Sequence, residues 1–410
     1  MRVLTYYTQA IRRVKQIRLP DTGNSGSRDM KETSLTVIKK IRIEPQALLW
    51  YNPRTGMSLD KLRQEIDSID AQLVELLKQR AACVHQVGEI KKSTGAPTFV
   101  PERECALIEK ILKLNNDVLP EKSILSIWRQ IVSCSFHLEG NMRIGYLGPE
   151  GTWSHQAALS RFGDSVELVP YASFDHVFSA VERGEVNYGV IPLENSTHGS
   201  VVQAMDMFAH TTLRICAQVH QAVQHCLMAN IAASEIRTIY SHPQVLGQCS
   251  QWLQANYPHA DQIPTASTTA AARMALEKTD EGAAALGSPL AARLHGLGIL
   301  AEHVQDVASN TTRFVVIGTQ TTKPSGHDRT TICFTVPNKS GSLVDVLEHF
   351  RTHGINIFCL DSRPGRDRAW EYLFYIDVDG HEDQEPLRSC LAELKEQCPV
   401  LKVLGSYPEK

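Results

Sequence analysis

The sequence predicts a multidomain protein with an all-α region, a two-lobed α/β region and a small βαββαβ region, in that order. Three observations support this fold class. Apolar residues recur every three or four positions after Leu59, and strand-like and helix-like segments alternate after Arg143. A second, shorter alternation follows a linker at 323–326 that contains Pro and Gly. A chain of 410 residues has room for two to four domains at roughly 150 residues each.

The composition is that of an ordinary globular protein. Apolar residues make up 42% of the chain and charged residues 21%, and the formal net charge of −3 gives no reason to expect a nucleic acid as a partner. The ten Cys form no Cys-x-x-Cys pair, which argues against a metal or redox motif and fits a reducing cytoplasm. No apolar run approaches the roughly 18 residues of a membrane span.

The first 56 residues differ from the rest of the chain. They hold 11 Lys or Arg against four acids, with Pro and Gly in a loop-like stretch at 19–29. We predict a disordered basic extension over 1–56, and Met57 would be a sensible natural start. A transit peptide for an organelle is the alternative, because such peptides are also rich in Arg and poor in acids.

Residues 57–142 read as a helical domain. The apolar spacing predicts one helix of about 30 residues that starts after an N-cap at Ser58 and ends near Gly95. Two shorter helices follow, one after Pro101 and one over 120–139. A helix of about 45 Å cannot bury its apolar stripe against two shorter ones, so we expect a homodimer or a higher homo-oligomer.

Cations on the long helix could hold a small anion. Arg80 and Lys91 are 11 residues apart and therefore lie on one helix face. Arg63 lies about 25 Å along the axis from Arg80, so it could reach the same ligand only from a partner helix. Any single Lys or Arg on a helix is more often simply solvated, and the pattern must be judged as a set.

As a set, these residues resemble an all-helical chorismate mutase of the type fused to prephenate dehydratase. The resemblance implies that Arg63 of a partner subunit and Arg80 grip the carboxylates of chorismate, that Lys91 meets the ether oxygen, and that Glu104 meets the ring hydroxyl. The full set of implied chorismate-binding residues is Arg63, Arg80, Lys91, Val100, Arg103, Glu104, Ser135 and Glu139.

Two of these positions depart from the family pattern. Val100 stands where some relatives carry an acid, which matters only if that position acts through its side chain. Glu139 stands where a Gln often faces the ether oxygen, and a carboxylate there would repel the developing negative charge. Lys91 and Glu139 are both catalytic candidates, and the sequence predicts that Glu139 acts in its protonated form, kept so by burial or by neighbouring acids.

Residues 143–320 alternate between strands and helices, which predicts a mostly parallel sheet with helices on both faces. The candidate strands are 143–148, 186–191, 236–240, 283–286 and 314–317. The layout resembles that of a type II periplasmic binding protein, with a second lobe over about 220–300. A ligand would sit between the lobes, where strand ends and helix N-termini meet.

The decapeptide 309–318 is the most informative stretch of the chain. It places Thr312 and Arg313 at the start of a β-branched strand, where we expect one small anion to meet both. Its Thr-Arg-Phe tripeptide resembles the signature of prephenate dehydratases, and hydroxyl-rich loops match that family in order. The resemblance implies Thr312 as the catalytic residue, with no cofactor or metal. The implied prephenate-binding residues are Thr152, Glu194, Asn195, Ser196, Thr312 and Arg313.

Residues 328–410 follow the βαββαβ order of a ferredoxin-like domain. They resemble an ACT regulatory domain of the kind that senses phenylalanine. The residues that carry this resemblance are Gly341, Leu343, Val344, Asp361, Ser362, Arg363 and Pro364. Asp361 replaces the usual Glu of the family. The resemblance implies that L-phenylalanine binds between paired domains.

The three resemblances together imply a bifunctional chorismate mutase–prephenate dehydratase in phenylalanine biosynthesis, inhibited by its end product. It would turn chorismate into prephenate, and prephenate into phenylpyruvate with loss of water and carbon dioxide. Two alternatives stay open from the sequence. One is an arogenate dehydratase, since the pocket residues do not reveal an amino or keto preference. The other is an amino-acid sensor whose catalytic sites are inactive.

Overall fold

The computed structural model describes residues 58–364 and 372–409. The predicted extension over 1–56 and Met57 lie outside the described residues. Contacts divide the chain after Ala71, and Gln72–Lys410 forms one compact unit. The described residues before Gln72 belong to the other unit and form the start of the first helix.

The helical region contains three helices. They are α1 (Leu59–Thr94), α2 (Pro101–Asn115) and α3 (Glu121–Gly140). Ser58 caps α1 through its hydroxyl, which accepts from the Lys61 amide at 3.4 Å, as predicted. Gly88 brings the C-terminal half of α1 against α3, because a Cβ there would lie 2.9 Å from the Cα of Glu139.

The N-terminal half of α1 carries apolar side chains that remain exposed in the single chain. They include Leu62, Ile66, Ile69, Leu73, Leu76 and Leu77. The recurrence of these residues every three or four positions forms one stripe along the helix. The stripe is the surface that we expected a second copy of the chain to cover.

A six-stranded mixed sheet forms the first α/β lobe. Its elements are β1 (Arg143–Leu147), α4 (Trp153–Phe162), β2 (Glu167–Tyr171), α5 (Phe174–Glu182), β3 (Tyr188–Asn195), β4 (Gly199–Ser200), α6 (Val202–His210), β5 (Arg214–Ala222) and, after the second lobe, β11 (Thr311–Gly318). The strand order is β2-β1-β3-β11-β5, with β4 beside β3. The strand candidates at 143–148, 186–191 and 314–317 lie within or overlap these strands.

A five-stranded sheet forms the second lobe, between β5 and β11 in the chain. Its elements are β6 (Cys226–Ala229), β7 (Thr238–Ser241), α7 (Pro243–Gln248), α8 (Ser250–Asn256), β8 (Asp261–Pro264), α9 (Thr268–Glu277), β9 (Ala283–Gly287), α10 (Pro289–His295) and β10 (Gly298–Glu302). The strand order is β10-β6-β9-β7-β8. The lobe falls where the sequence placed it, within about the same 80 residues.

The expectation of a mostly parallel sheet was wrong for both lobes. In the first lobe β11 runs antiparallel to both β3 and β5, and in the second lobe β6 runs antiparallel to β9 and β10. In the first lobe, the reason is the insertion of the second lobe. The chain leaves the first sheet after β5 and returns through β11, which must run in the opposite direction to rejoin it.

The C-terminal region forms a four-stranded antiparallel sheet with two helices. Its elements are β12 (Asp328–Thr335), α11 (Ser342–Thr352), β13 (Ile357–Pro364), β14 (Tyr372–Asp379), α12 (Leu387–Gln397) and β15 (Val400–Pro408). The strand order is β13-β14-β12-β15, and the element order is the predicted βαββαβ. Side chains of this sheet and of the first lobe share one apolar core that contains Val315, Ile317, Tyr375, Leu404 and Tyr407.

Candidate active sites

The helical region contains an open cavity of about 120 Å³. The cavity is lined by Arg80, Lys91, Val100, Arg103, Glu104, Ser135 and Glu139, together with Val84, Val87, Thr98, Leu107, Val132 and Phe136. The structure therefore brings together every residue of the predicted chorismate set except Arg63.

Two cations enter this cavity from α1 and are held by α3. The Arg80 Nη1 donates to Ser135 Oγ at 2.6 Å, and Ser135 in turn donates to the carbonyl of Ile131. The Lys91 ammonium lies 2.6 Å from Glu139 Oε2 and donates to the Thr98 carbonyl at 2.9 Å. These contacts fix two positive groups on one side of an apolar cavity.

Glu139 lies beside a cation, Lys91. The sequence argument invoked burial or nearby acids, and the structure provides burial together with the Lys91 ammonium. A cation in direct contact favours the ionised form of a carboxyl group. The protonated Glu139 therefore stays a prediction, to be tested by a pH profile.

Glu104 lies almost entirely buried on the first turn of α2. Its Oε1 accepts from both Arg129 and Arg161, while its Oε2 is buried without a hydrogen-bond partner among the described residues. Burial lowers the pKa of the Arg129 guanidinium, and the Glu104 carboxylate opposes that shift. One carboxylate oxygen is thus occupied by guanidinium groups and the other is left free.

Arg63 lies in the other unit and has an exposed side chain. Its guanidinium is 3.7 Å from Asp60, one turn earlier on α1. A pair between exposed side chains one turn apart stabilises a helix only slightly. Its expected role in a partner subunit stays a prediction.

A second polar cluster surrounds Thr312 in the first lobe. Because β11 is antiparallel to β3, the start of β11 lies beside the end of β3, and Thr312 pairs with Asn195 in the sheet register. The Asn195 Nδ2 donates to Thr312 Oγ1 at 2.7 Å and to Asn310 Oδ1 at 2.9 Å. Asn195 Oδ1 accepts from the amide of Thr197 at 3.0 Å. The amide of Asn195 is therefore held in one orientation against Thr312.

Two other residues of the predicted prephenate set have local structural partners. Thr152 is the N-cap of α4, where its hydroxyl accepts from the His155 amide. The Ser196 hydroxyl accepts from the Thr311 amide at 3.0 Å, which ties the end of β3 to the start of β11. Thr152 and Ser196 are thus confirmed as parts of the loops at strand ends, and their contact with a substrate stays a prediction.

Arg313 and Glu194 do not share the environment of Thr312, contrary to the expectation that one anion meets both Thr312 and Arg313. Successive residues of a strand point to opposite faces of the sheet, so Arg313 points toward the C-terminal region. Its Nη2 lies 2.5 Å from Asp377 Oδ2 and 3.4 Å from Glu194 Oε2, and its side chain is only 7% exposed. Burial by itself lowers the pKa of Arg313, but Tyr407, Asp377 and Glu194 raise it above the ordinary value.

Sequence reasoning missed a polar chain that crosses from the first lobe to the second. His198 lies 3.1 Å from Asn195 Oδ1 and 3.5 Å from the side-chain amide of Gln248. His225 Nε2 donates to Gln248 Oε1 at 2.8 Å, and burial lowers the pKa of His225. The spacing of Asn310 two residues before Thr312 could have placed both on one strand face. The contacts of Gln248 depend on how the lobes meet, which no local pattern reveals.

A cavity in the C-terminal region contains part of the predicted phenylalanine site. It is lined by Gly341, Leu343 and Val344, together with Val336, Pro337, Asn338, Lys339, Ser342, Tyr372 and Phe374. Asp361, Ser362, Arg363 and Pro364 lie instead on β13, the edge strand of the sheet. The Asp361 carboxylate accepts from the Ser362 amide and pairs with Arg363 at 3.1 Å. In a single chain, therefore, only the first of the two predicted motifs lines the cavity.

Two absences apply to the described part of the chain. Within 58–364 and 372–409, no group of three or more His, Cys, Asp or Glu is arranged to hold a metal ion. None of the helices described is long and apolar enough to cross a membrane.

The comparison with known proteins gives matches for both the α-helical region and the α/β region. The family model for chorismate mutase type II matches residues 62–140, and the model for prephenate dehydratase matches residues 144–322. A bifunctional chorismate mutase/prephenate dehydratase from Aquifex aeolicus is 41% identical over 356 residues, which is 86% of this chain and 98% of that protein. The protein of the same description from Escherichia coli K12 is 32% identical over 371 residues, or 85% of this chain and 96% of that one.

Among solved structures, prephenate dehydratase from Arthrobacter aurescens in complex with L-Phe is similar to part of this chain. The similarity has a TM-score of 0.61 at 30% identity and covers 65% of this chain and 90% of that one. Prephenate dehydratase from Staphylococcus aureus, with a TM-score of 0.58 at 24% identity, shares the same fold.

Proposed function

Because the chain belongs to the family of bifunctional chorismate mutase/prephenate dehydratases, we propose that its helical cavity rearranges chorismate and that the Thr312 site dehydrates prephenate. The observation that carries the mutase part of this assignment is the convergence of Arg80, Lys91 and Glu104 on one cavity. We further propose domain limits of 57–142 for the mutase, 143–320 for the dehydratase and 328–410 for an ACT domain.

The mutase reaction needs no nucleophile from the protein, because chorismate rearranges in a single pericyclic step. The protein must hold a dicarboxylate in a compact conformer and stabilise the charge that grows on the breaking ether oxygen. Arg80 binds one carboxylate, with Val100 and Arg103 beside it, and Lys91 donates to the ether oxygen. The free Oε2 of Glu104 accepts from the ring hydroxyl. Arg63 of the partner subunit binds the second carboxylate.

The dehydratase reaction removes the ring hydroxyl and a carboxylate from prephenate. As the C–O bond breaks, the electrons of the C–CO₂⁻ bond move into the ring, carbon dioxide leaves and the ring becomes aromatic. Since Asn195 Nδ2 donates to Thr312 Oγ1, the hydroxyl proton of Thr312 is free to point elsewhere. Thr312 donates that proton to the departing hydroxide, which leaves as water, and the Thr312 oxygen then regains a proton from solvent.

We also propose that L-phenylalanine, the compound bound in the Arthrobacter structure, inhibits this chain as the end product of its pathway. The cavity beside Gly341 and Val344 binds the ligand, and the Asp361–Pro364 segment of a second copy completes the site. Two observations support a homodimer. The second motif is absent from the cavity of the single chain, and the apolar stripe on α1 is exposed. The sequence has no Cys-x-x-Cys pair, which fits a cytoplasmic enzyme.

Two matched variants test whether the activities reside where we place them. Arg80→Met removes a carboxylate contact from the helical cavity, and we expect it to lower mutase kcat/KM by ~10²-fold or more while prephenate is still dehydrated normally. Thr312→Ala removes the proton donor and should lower dehydratase turnover by ~10²-fold or more with the mutase intact. Steady-state kinetics on chorismate and on prephenate measure both. Loss of both activities in each variant would contradict two separate sites.

A further inference from the structure

A residue from outside the helical region contacts the lining of the mutase cavity. Glu104 lines the cavity, and its side chain is 6% exposed. One of the two guanidinium groups on its Oε1 belongs to Arg129 of α3. The other belongs to Arg161, in the last turn of α4, which is part of the dehydratase region. The Arg161 Nη1 donates to Glu104 Oε1 at 2.7 Å, across 57 residues of sequence.

Arg161 is itself fixed by its surroundings. Its side chain is 10% exposed, and its guanidinium carbon lies 5.0 Å from the centre of the Phe99 ring, a favourable cation–π distance. The backbone carbonyl of Arg161 accepts from the Arg129 Nη1 at 2.6 Å. Arg161 therefore contacts the carboxylate directly and also holds the second guanidinium that binds it.

The loop before α2 is anchored to the same dehydratase surface. Phe99, one residue before Val100, packs edge-on against Phe162 and Tyr188 at 5.1 and 5.3 Å between ring centres. The Phe99 carbonyl accepts from Gln320 Nε2 at 2.8 Å. The start of α2 at Pro101 and the Glu104 carboxylate three residues later thus both contact the dehydratase region.

We propose that Arg161 is a positioning residue for the mutase reaction, which holds Glu104 so that its free Oε2 meets the ring hydroxyl of chorismate. The proposal rests on the role that we assign to Glu104 in the mutase. Two guanidinium groups that donate to Oε1 from different helices restrict the rotation of the carboxylate more than Arg129 alone does. The dehydratase region thereby helps to position a residue of the active site that supplies its substrate.

Full-length variants test the proposal, with kcat and KM measured on chorismate and on prephenate. Arg161→Met keeps the apolar stem but removes the charge, and we expect mutase kcat/KM to fall about 10- to 100-fold, the cost of a misplaced group. Dehydratase kinetics should stay within about twofold, since such a change is small on the scale of lost catalytic contacts. Arg161→Lys keeps the charge and should recover part of the loss. Arg183→Met, at an exposed Arg in the dehydratase region, is the matched control and should change neither activity.

A double-mutant cycle separates positioning of Glu104 from a merely structural effect. Glu104→Gln should lower mutase activity by itself, and Arg161→Met should then cause little further loss, because residues acting through one contact are not additive. Additive losses, or normal mutase activity in Arg161→Met, would overturn the proposal. Normal activity in Glu104→Gln would overturn the assignment of Glu104 as well. If Arg161→Met lowers both activities, the Arg161→Lys variant decides between positioning and a structural effect. A loss of mutase activity with normal dehydratase activity in Arg161→Lys supports positioning, and an equal loss of both activities refutes it.

Discussion

The buried pair between Arg313 and Asp377 offers the sharpest prediction, because it joins the catalytic strand to the C-terminal sheet. The side chains are 7% and 4% exposed, and Asp377 also accepts from Thr331. Asp377→Asn keeps the shape but leaves a buried guanidinium without its close counter-ion. Removing one partner of a buried pair costs ~3–5 kcal/mol. Because Glu194 remains 3.4 Å from Arg313, we expect the low end, about 3 kcal/mol.

Native-state hydrogen exchange of the β14 amides measures this loss in the intact chain, since exchange reports the free energy of local opening. At 1.36 kcal/mol per tenfold, the expected loss speeds exchange by roughly 10²-fold. Asp379→Asn, at an exposed position of the same strand, is the matched control. Arg313 follows Thr312 in β11, and its pair with Asp377 joins this catalytic strand to the C-terminal sheet. We therefore also expect the phenylalanine concentration that gives half-inhibition of the dehydratase to rise at least ~5-fold in Asp377→Asn. Equal exchange in the two variants would refute the reasoning.

Two further predictions concern the helical region. If Glu139 acts in its protonated form, as the sequence predicts, mutase activity falls with rising pH in the wild type but not in Glu139→Gln; a flat wild-type profile from about pH 5 to 8 would contradict that role. Leu73→Glu places a charge in the exposed apolar stripe, where a dimer would have to bury it, so the sedimentation coefficient should drop to that of a single chain. Lys78→Glu on the same helix should not change it, and an unchanged coefficient in both variants would exclude this stripe as the interface.

The sequence predicted the helical region and its cavity well because both depend on spacing along helices. The spacing of 11 residues placed Arg80 and Lys91 on one face of the helix, and the structure has both lining one cavity. The immediate partners were not predictable in the same way. Lys91 contacts Glu139 and Glu104 contacts Arg161, and each contact joins elements that are distant in sequence.

The strand that carries Thr312 shows the other limit. Its β-branched composition predicted a strand, and the strand is present, but the side assigned to Arg313 was wrong. The alternation of side chains could have separated Thr312 from Arg313. The antiparallel direction of β11 could not be read locally, because it follows from the insertion of a whole lobe between β5 and β11. Asn195 reaches Thr312 across that insertion, 117 residues away.

One measurement tests the central claim most directly, that a single chain carries both reactions under control of their end product. The purified protein is mixed with chorismate, and the loss of chorismate and the appearance of phenylpyruvate are followed with and without millimolar L-phenylalanine. We predict that phenylpyruvate forms and that L-phenylalanine suppresses it. Prephenate that accumulates without phenylpyruvate would contradict the dehydratase assignment, and no loss of chorismate with folded protein would contradict the catalytic account of both sites.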